Sequence, residues 1–423
     1  MEYKYHPETK EELKELVKDE SIYLGDIDTS NITDMSHLFH KSTRRDFSGI
    51  EKWDTSNVTN MSWMFTNYEK FNKPVPFDTS NVEDMSYMFA GCHEFNQPVP
   101  FDTSKVENME AMFWGCDKFN QPVPFDTSNV TNMSEMFHKC YEFNQLVQWD
   151  TSNVTNMSWM FYECHEFNQP VPFDTSNVED MSYMFAGCHE FNQPFEFDTS
   201  NVTNMSRMFA GCHEFNQPVP FDTSKVTDMS GMFEGCHEFN QPLKFDTSNV
   251  RDMSDMFAWC HEFNQPVPFD TSNVRDMSWM FSGCDRFNQP LEFDTSNVKD
   301  MHGMFDGCKE FNQPINFDTS KVTGRHEMFI GCHNLPLETQ AKVELGISDV
   351  TRGEPGIALK DAEVLKVSDN YTALKKGDDT YVYSNDQLHS ITRLIRGEFF
   401  NLSWPEGAPT ATVTPVPAQK LAR

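Results

Sequence analysis

The chain has 423 residues, 38% of them apolar, and a mean hydropathy of −0.60, which is length enough to bury a sizeable core. Sixty-five Asp and Glu against 33 Lys and Arg leave a formal net charge of −32, so phosphate backbones and anionic lipid are repelled. No stretch reaches the roughly 18 apolar residues of a membrane span; the expectation is therefore a monomer that binds no nucleic acid and inserts into no membrane.

At the N-terminus, MEYKYHPETKEELKELVKDE lacks the apolar core of an export signal, which by itself points to the cytoplasm. Thr9 and Glu12 have capping-box spacing, and Leu13, Leu16 and Val17 share one face, so residues 1–20 are expected to form a short helical cap. From Asp28 the triplet Asp-Thr-Ser recurs to Asp318, and after Asp54 the step is always 24 residues. The first step, of 26, leaves room for a loop near residues 42–48. Residues 77–98 and 173–194 are identical and lie four whole repeats apart, a sign of duplication in register. A unit of this length cannot bury its apolar face alone, but stacked units can bury theirs against one another.

Within the unit Asp78 to Phe101, Val82, Met85, Phe89 and Cys92 follow steps of three and four, predicting a short helical or 3-10 segment that Gly91 stops. Val99, Phe101 and Thr103 alternate, predicting a strand over residues 99–103. Asp102, Thr103 and Ser104 are expected to turn the chain by bonding local amides. All eleven cysteines, Cys92 to Cys332, share one repeat position; reduced, buried thiols acting as small apolar residues are expected. Histidine follows cysteine in several units, including His165 to His261 in succession, and reads as a solvated edge. The Asn72 to Asn312 column reads as an amide ladder. Nothing in these columns calls for a metal or other cofactor.

A unit reading FNQPVPFDTSNVEDMSYMFAGC resembles the repeat of the BspA-like leucine-rich repeat surface proteins, the group also described as DUF285 or Mycoplasma-lipoprotein-type repeats. The resemblance covers about residues 21–337. It implies a right-handed, leucine-rich-repeat-like solenoid with one short strand and short helical or 3-10 turns per repeat. It also implies adhesion or protein interaction, often at the cell surface.

If copied columns build the coil, the residues free to differ carry recognition. One such column includes Trp63, Tyr87, Trp159, Tyr183, Arg207 and Trp279, and another, three residues on, includes Trp114, His138 and Tyr162. Read as one helical face, they make a ridge with aromatic anchors for a protein or glycan partner. After Leu337 the composition changes. VELGISDV, DAEVLKVSD and DDTYVYS predict short strands and QLHSITRLI a helix, so residues 338–403 are read as a small α+β segment and 404–423 as a flexible tail. Asp378 and Asp379 read as solvated. The expected function is non-enzymatic interaction or adhesion. An intracellular scaffold or secreted effector is the alternative, and an enzyme housed after Leu337 the third.

Overall fold

The computed structural model describes residues 3–347, 350–353, 362–368 and 370–388. Two compact units emerge, Met1–Asn249 and Val250–Arg423, and each is taken by itself.

The first unit opens with helix α1, Lys10–Lys18. Thr9 Oγ1 accepts the Glu12 N–H at 3.2 Å, and the Glu12 carboxylate accepts the Glu8 N–H at 2.8 Å. The capping residues act as their spacing predicts, except that the return bond falls one residue early. Leu13 and Val17 are buried, and Leu16 is half-buried. The longer first step places Arg44 in its loop, where the buried guanidinium donates to the carbonyls of Val17, Asp19, Ile22 and Asp46. These bonds tie the loop to the end of α1.

The repeats that follow hold together by hydrogen bonds between successive units. Asp78 Oδ1 accepts the Ser80 N–H and hydroxyl at 3.0 and 2.7 Å, the local turn expected of the Asp-Thr-Ser triplet. Thr79 instead is buried and donates to the next unit's Asp102 carbonyl at 2.9 Å. Asn96 Oδ1 accepts the Asn120 N–H at 3.1 Å and Gln121 Nε2 at 2.9 Å. The asparagine ladder is thus a backbone clamp between successive units.

The segment read as helical is not a helix. The N–H groups of Met85, Tyr87, Phe89 and Gly91 donate to the next unit's Asn108, Glu110, Met112 and Trp114, at 2.6–3.1 Å. The intervening Met88, Ala90 and Cys92 donate three residues back, at 2.9–3.2 Å. Tyr87 and Gly91 have φ of 55° and 73°. Two left-handed residues four apart prevent any run of i to i−4 bonds, and alternate turning yields the same three-and-four spacing of apolar residues. The expected strand over residues 99–103 is also absent. Pairing between units occurs instead as isolated parallel bridges, Asn60 to Asp84 to Asn108 and onward.

Inside, Phe89 lies 4.2 Å from Phe95 in its own unit and 5.6 Å from Phe65 in the preceding one. Val82, Met85, Met88 and Cys92 have no exposed surface. All eleven cysteines are buried, and none is disulfide-bonded. The Cys92 thiol donates to the Phe65 carbonyl, and burial pushes its pKa far up, so these thiols are unreactive packing groups.

The second unit begins with repeats of the same kind, bridged Asp252 to Asp276 to Asp300 to Gly324. It continues into helix α2, Leu337–Leu345, closed by Gly346 in the left-handed conformation. Four strands follow: β1 Thr351–Arg352, β2 Glu363–Val367, β3 Tyr371–Lys376 and β4 Asp379–Ser384, in sheet order β1-β4-β3-β2. One cluster joins Ala341 and Leu345 of α2 to Tyr371, Ala373 and Val382; another joins Val364, Leu374 and Leu388. DAEVLKVSD and DDTYVYS do form β2 and β4. VELGISDV does not begin as a strand, because Val343–Leu345 end α2; a short apolar run reads alike in either state. Most of QLHSITRLI and the whole tail lie outside the described residues.

Candidate interaction surface

The alternating turn explains where the variable columns stand. Trp63, Tyr87, Trp159, Tyr183, Arg207 and, in the second unit, Trp279 all have φ between 52° and 60°. Bulky side chains seldom adopt this conformation. Here the backbone is held by bonds to the next unit, such as Tyr87 N–H to Glu110 at 2.8 Å and Trp159 N–H to Ser182 at 2.9 Å. A left-handed vertex turns its side chain outward. The flanking Met and Phe residues are fully buried, while the vertex residues are half-buried.

Three residues on, Trp114 and Tyr162 are also half-buried. The two columns are neighbours through this turn and not through the helical face that their spacing suggests.

The expected residues gather into separate groups. Trp63 and Tyr87 stack at 4.1 Å and 12°, with His37 on the other side of Trp63 at 5.6 Å. The Tyr87 phenol donates to Glu110 Oε1 at 2.8 Å, and Glu110 Oε2 accepts Asn132 Nδ2 at 3.3 Å. Burial and that carboxylate hold the phenol pKa well above its ordinary value.

A larger group centres on His138. Trp159 stacks on Tyr183 at 3.8 Å and lies 5.7 Å from His138. Tyr162 leans on both Trp159 and His138 at 4.7 Å, and Trp114 stands 5.7 Å from His138. Burial, helped by the charge of Lys139, pushes the imidazole down to about 4. Burial and Glu110 push the Glu135 carboxyl up.

Arg207 pairs with Glu234 at 2.5 Å, and its charge reaches Tyr162. In the second unit Trp279 covers Gly303, where a Cβ would meet the indole at 2.3 Å, and meets His302 edge-on at 4.7 Å.

Glu110, His37 and His302 are the contributors that the column reading missed. Glu110 and His302 occupy a position that is serine in most units, such as Ser86 and Ser134, a departure visible in the sequence. His37 is hidden by the longer first step.

The histidine edge is more ordered than a solvated row. His165, His189, His213 and His237 stack at 4.4–4.5 Å with planes within 8°. Burial and the preceding imidazole lower the pKa of His189 and His213. Among the described residues no three His, Cys, Asp or Glu side chains converge as a metal would require. No helix among them is long and apolar enough to cross a membrane.

A family model described as "Mycoplasma protein of unknown function, DUF285" matches residues 11–121, 99–195, 171–267 and 267–345. No curated protein and no solved structure matches the chain.

Proposed function

Because the chain belongs to the DUF285 family, a Mycoplasma repeat family of unknown function, we propose that it is a non-enzymatic interaction protein. In this reading the repeats wind as a leucine-rich-repeat-like, right-handed solenoid that holds out two variable columns for adhesion to a protein partner. One observation carries it: on a scaffold copied unit by unit, the half-buried Trp63, Tyr87, Trp159, Tyr183 and Trp279 stand at left-handed vertices. Half-exposed Trp and Tyr are the residue types that anchor interfaces.

The stacking favours a protein over a glycan. In Trp63–Tyr87 and Trp159–Tyr183 the rings lie 4.1 and 3.8 Å apart and cover each other's faces. The facing surfaces of each pair are thereby closed to a sugar, which packs on an open ring face.

The test is selection of binders from a random peptide display library on the immobilised full chain. Binders are then measured against a variant carrying Trp63→Ala, Trp159→Ala and Trp279→Ala. Loss of binding by about tenfold or more is expected from removal of interface anchors; binders indifferent to the triple substitution would sink the proposal.

A further inference from the structure

We propose that Trp114, His138, Trp159 and Tyr162, together with the carboxylates of Glu110 and Glu135, form a seat for a cationic side chain, a lysine or arginine on a basic segment of the partner protein. The inference rests on the interaction reading above and adds the partner's chemistry.

In the first unit both variable columns carry rings in adjacent repeats at this place. Along the two columns the flanking positions are the small Ala90, Ala111 and Ala186. His138 and Trp159 lie parallel within 11°, but Trp114 and Tyr162 are inclined to them: 49° between Trp114 and His138, 43° between His138 and Tyr162, and 50° between Trp159 and Tyr162. Inclined rings leave part of their faces uncovered, and an aromatic face attracts a cation within about 6 Å of its centre.

The carboxylates supply the second half of the argument. Among the described residues no lysine or arginine pairs with Glu110 or Glu135, although the Glu110 charge raises the cost of ionising Glu135. Glu135 Oε2 stands 3.5 Å from His138 Nδ1 without a hydrogen bond between them, and that buried nitrogen has no partner. His138 is held neutral by burial, so it brings no compensating charge. Of the cations nearby, Arg207 is paired with Glu234, and Lys139 acts to keep the imidazole uncharged. A buried imidazole nitrogen without a partner and a carboxylate without a paired cation lie beside these rings; an ammonium or guanidinium supplies hydrogen-bond donors and the charge. The net charge of −32 steers a basic segment toward the surface and disfavours an acidic one.

The experiment is calorimetric titration of the full chain with an arginine-glycine heptapeptide, against the same peptide with citrulline in place of arginine, at about 0.15 M salt to suppress non-specific attraction. The arginine peptide is expected to bind and the citrulline peptide not. The charge-neutral double variant Trp114→Leu/Tyr162→Leu and the variant Glu135→Gln should each weaken binding about tenfold. The exposed Glu214→Gln, outside the seat, should change it less than about twofold. Tyr162→Phe, which keeps the ring, should retain binding and so exclude misfolding as the cause.

Equal weakening by Glu135→Gln and Glu214→Gln, or full binding by the double leucine variant, would overturn the seat. Display-selected binders that depend on the ridge tryptophans but lack basic residues would overturn it too, while leaving the interaction reading standing.

Discussion

In the repeats a buried side chain packs largely on its own copies, whereas in the C-terminal sheet each buried side chain has unlike neighbours. Phe137 lies between Phe113 and Phe161, at 5.7 and 5.6 Å. Leu374 of β3 meets Ala362, Val364 and Leu388. The repeat therefore has one packing solution used many times, and a fault in it disturbs the units on both sides. The sheet has a single solution, and a fault there stays local. The difference also bears on function: copying within the core removes any reason for the surface columns to be uniform, so variation collects at the outward vertices.

The contrast is open to experiment, beginning with the largest effect. Phe137→Ala removes a ring that touches Phe113, Phe143, Trp149 and Phe161. It should cost about 3–5 kcal/mol. In urea unfolding it should also broaden the transition of the first unit, because neighbouring repeats lose their partner. Leu374→Ala should cost about 2–4 kcal/mol, and hydrogen exchange should place the loss in β2–β4 alone. Protection lost in repeats as distant as those near Phe137 would break the comparison.

A pH scan sharpens it further. His138 has its pKa pushed down to about 4 in the folded chain, against about 6.5 unfolded. Between these values the unfolded chain binds a proton that the folded chain does not. Stability from this group is therefore complete above about pH 6.5, falls as the pH drops toward 4, and is level below that. The full difference corresponds to about 3 kcal/mol, which solvent screening of the partly exposed ring reduces to about 2 kcal/mol; it should vanish in His138→Phe, as read from urea midpoints at several pH values.

Next, Asn144→Ala deletes the acceptor of the Asn168 N–H and of Gln169 Nε2, at 3.0 and 3.1 Å. It should cost about 1–2 kcal/mol, with faster exchange of the Asn168 amide as its signature. The smallest effect is expected at the end of the array: Thr9→Ala removes the α1 cap bond for about 1 kcal/mol, with fraying confined to the first turn of that helix.

Much of the repeat's chemistry was legible before any coordinates. Identical columns of Asn, Thr and Cys imply that each residue meets its counterpart one unit on, and the cap at Thr9 has its own local signature. The candidate surface was legible only in part. Trp114, Trp159, Tyr162 and Tyr183 stand out in the sequence because their positions vary, and they do come together. Arg207 stands out for the same reason and pairs instead with Glu234. Glu110 was overlooked although it departs from a serine column.

What the sequence by itself determined was the period, the residues that face inward and the positions free to differ, because a 24-residue step forces equivalent residues into register. Only the tertiary structure decided how the chain turns between them. Apolar spacing of three and four suits a helix and an alternating turn equally well, and the choice was made by backbone bonds to the next unit, which no single repeat contains. The same bonds hold tryptophan and tyrosine at left-handed vertices, a conformation that local propensity argues against and that neighbouring units impose.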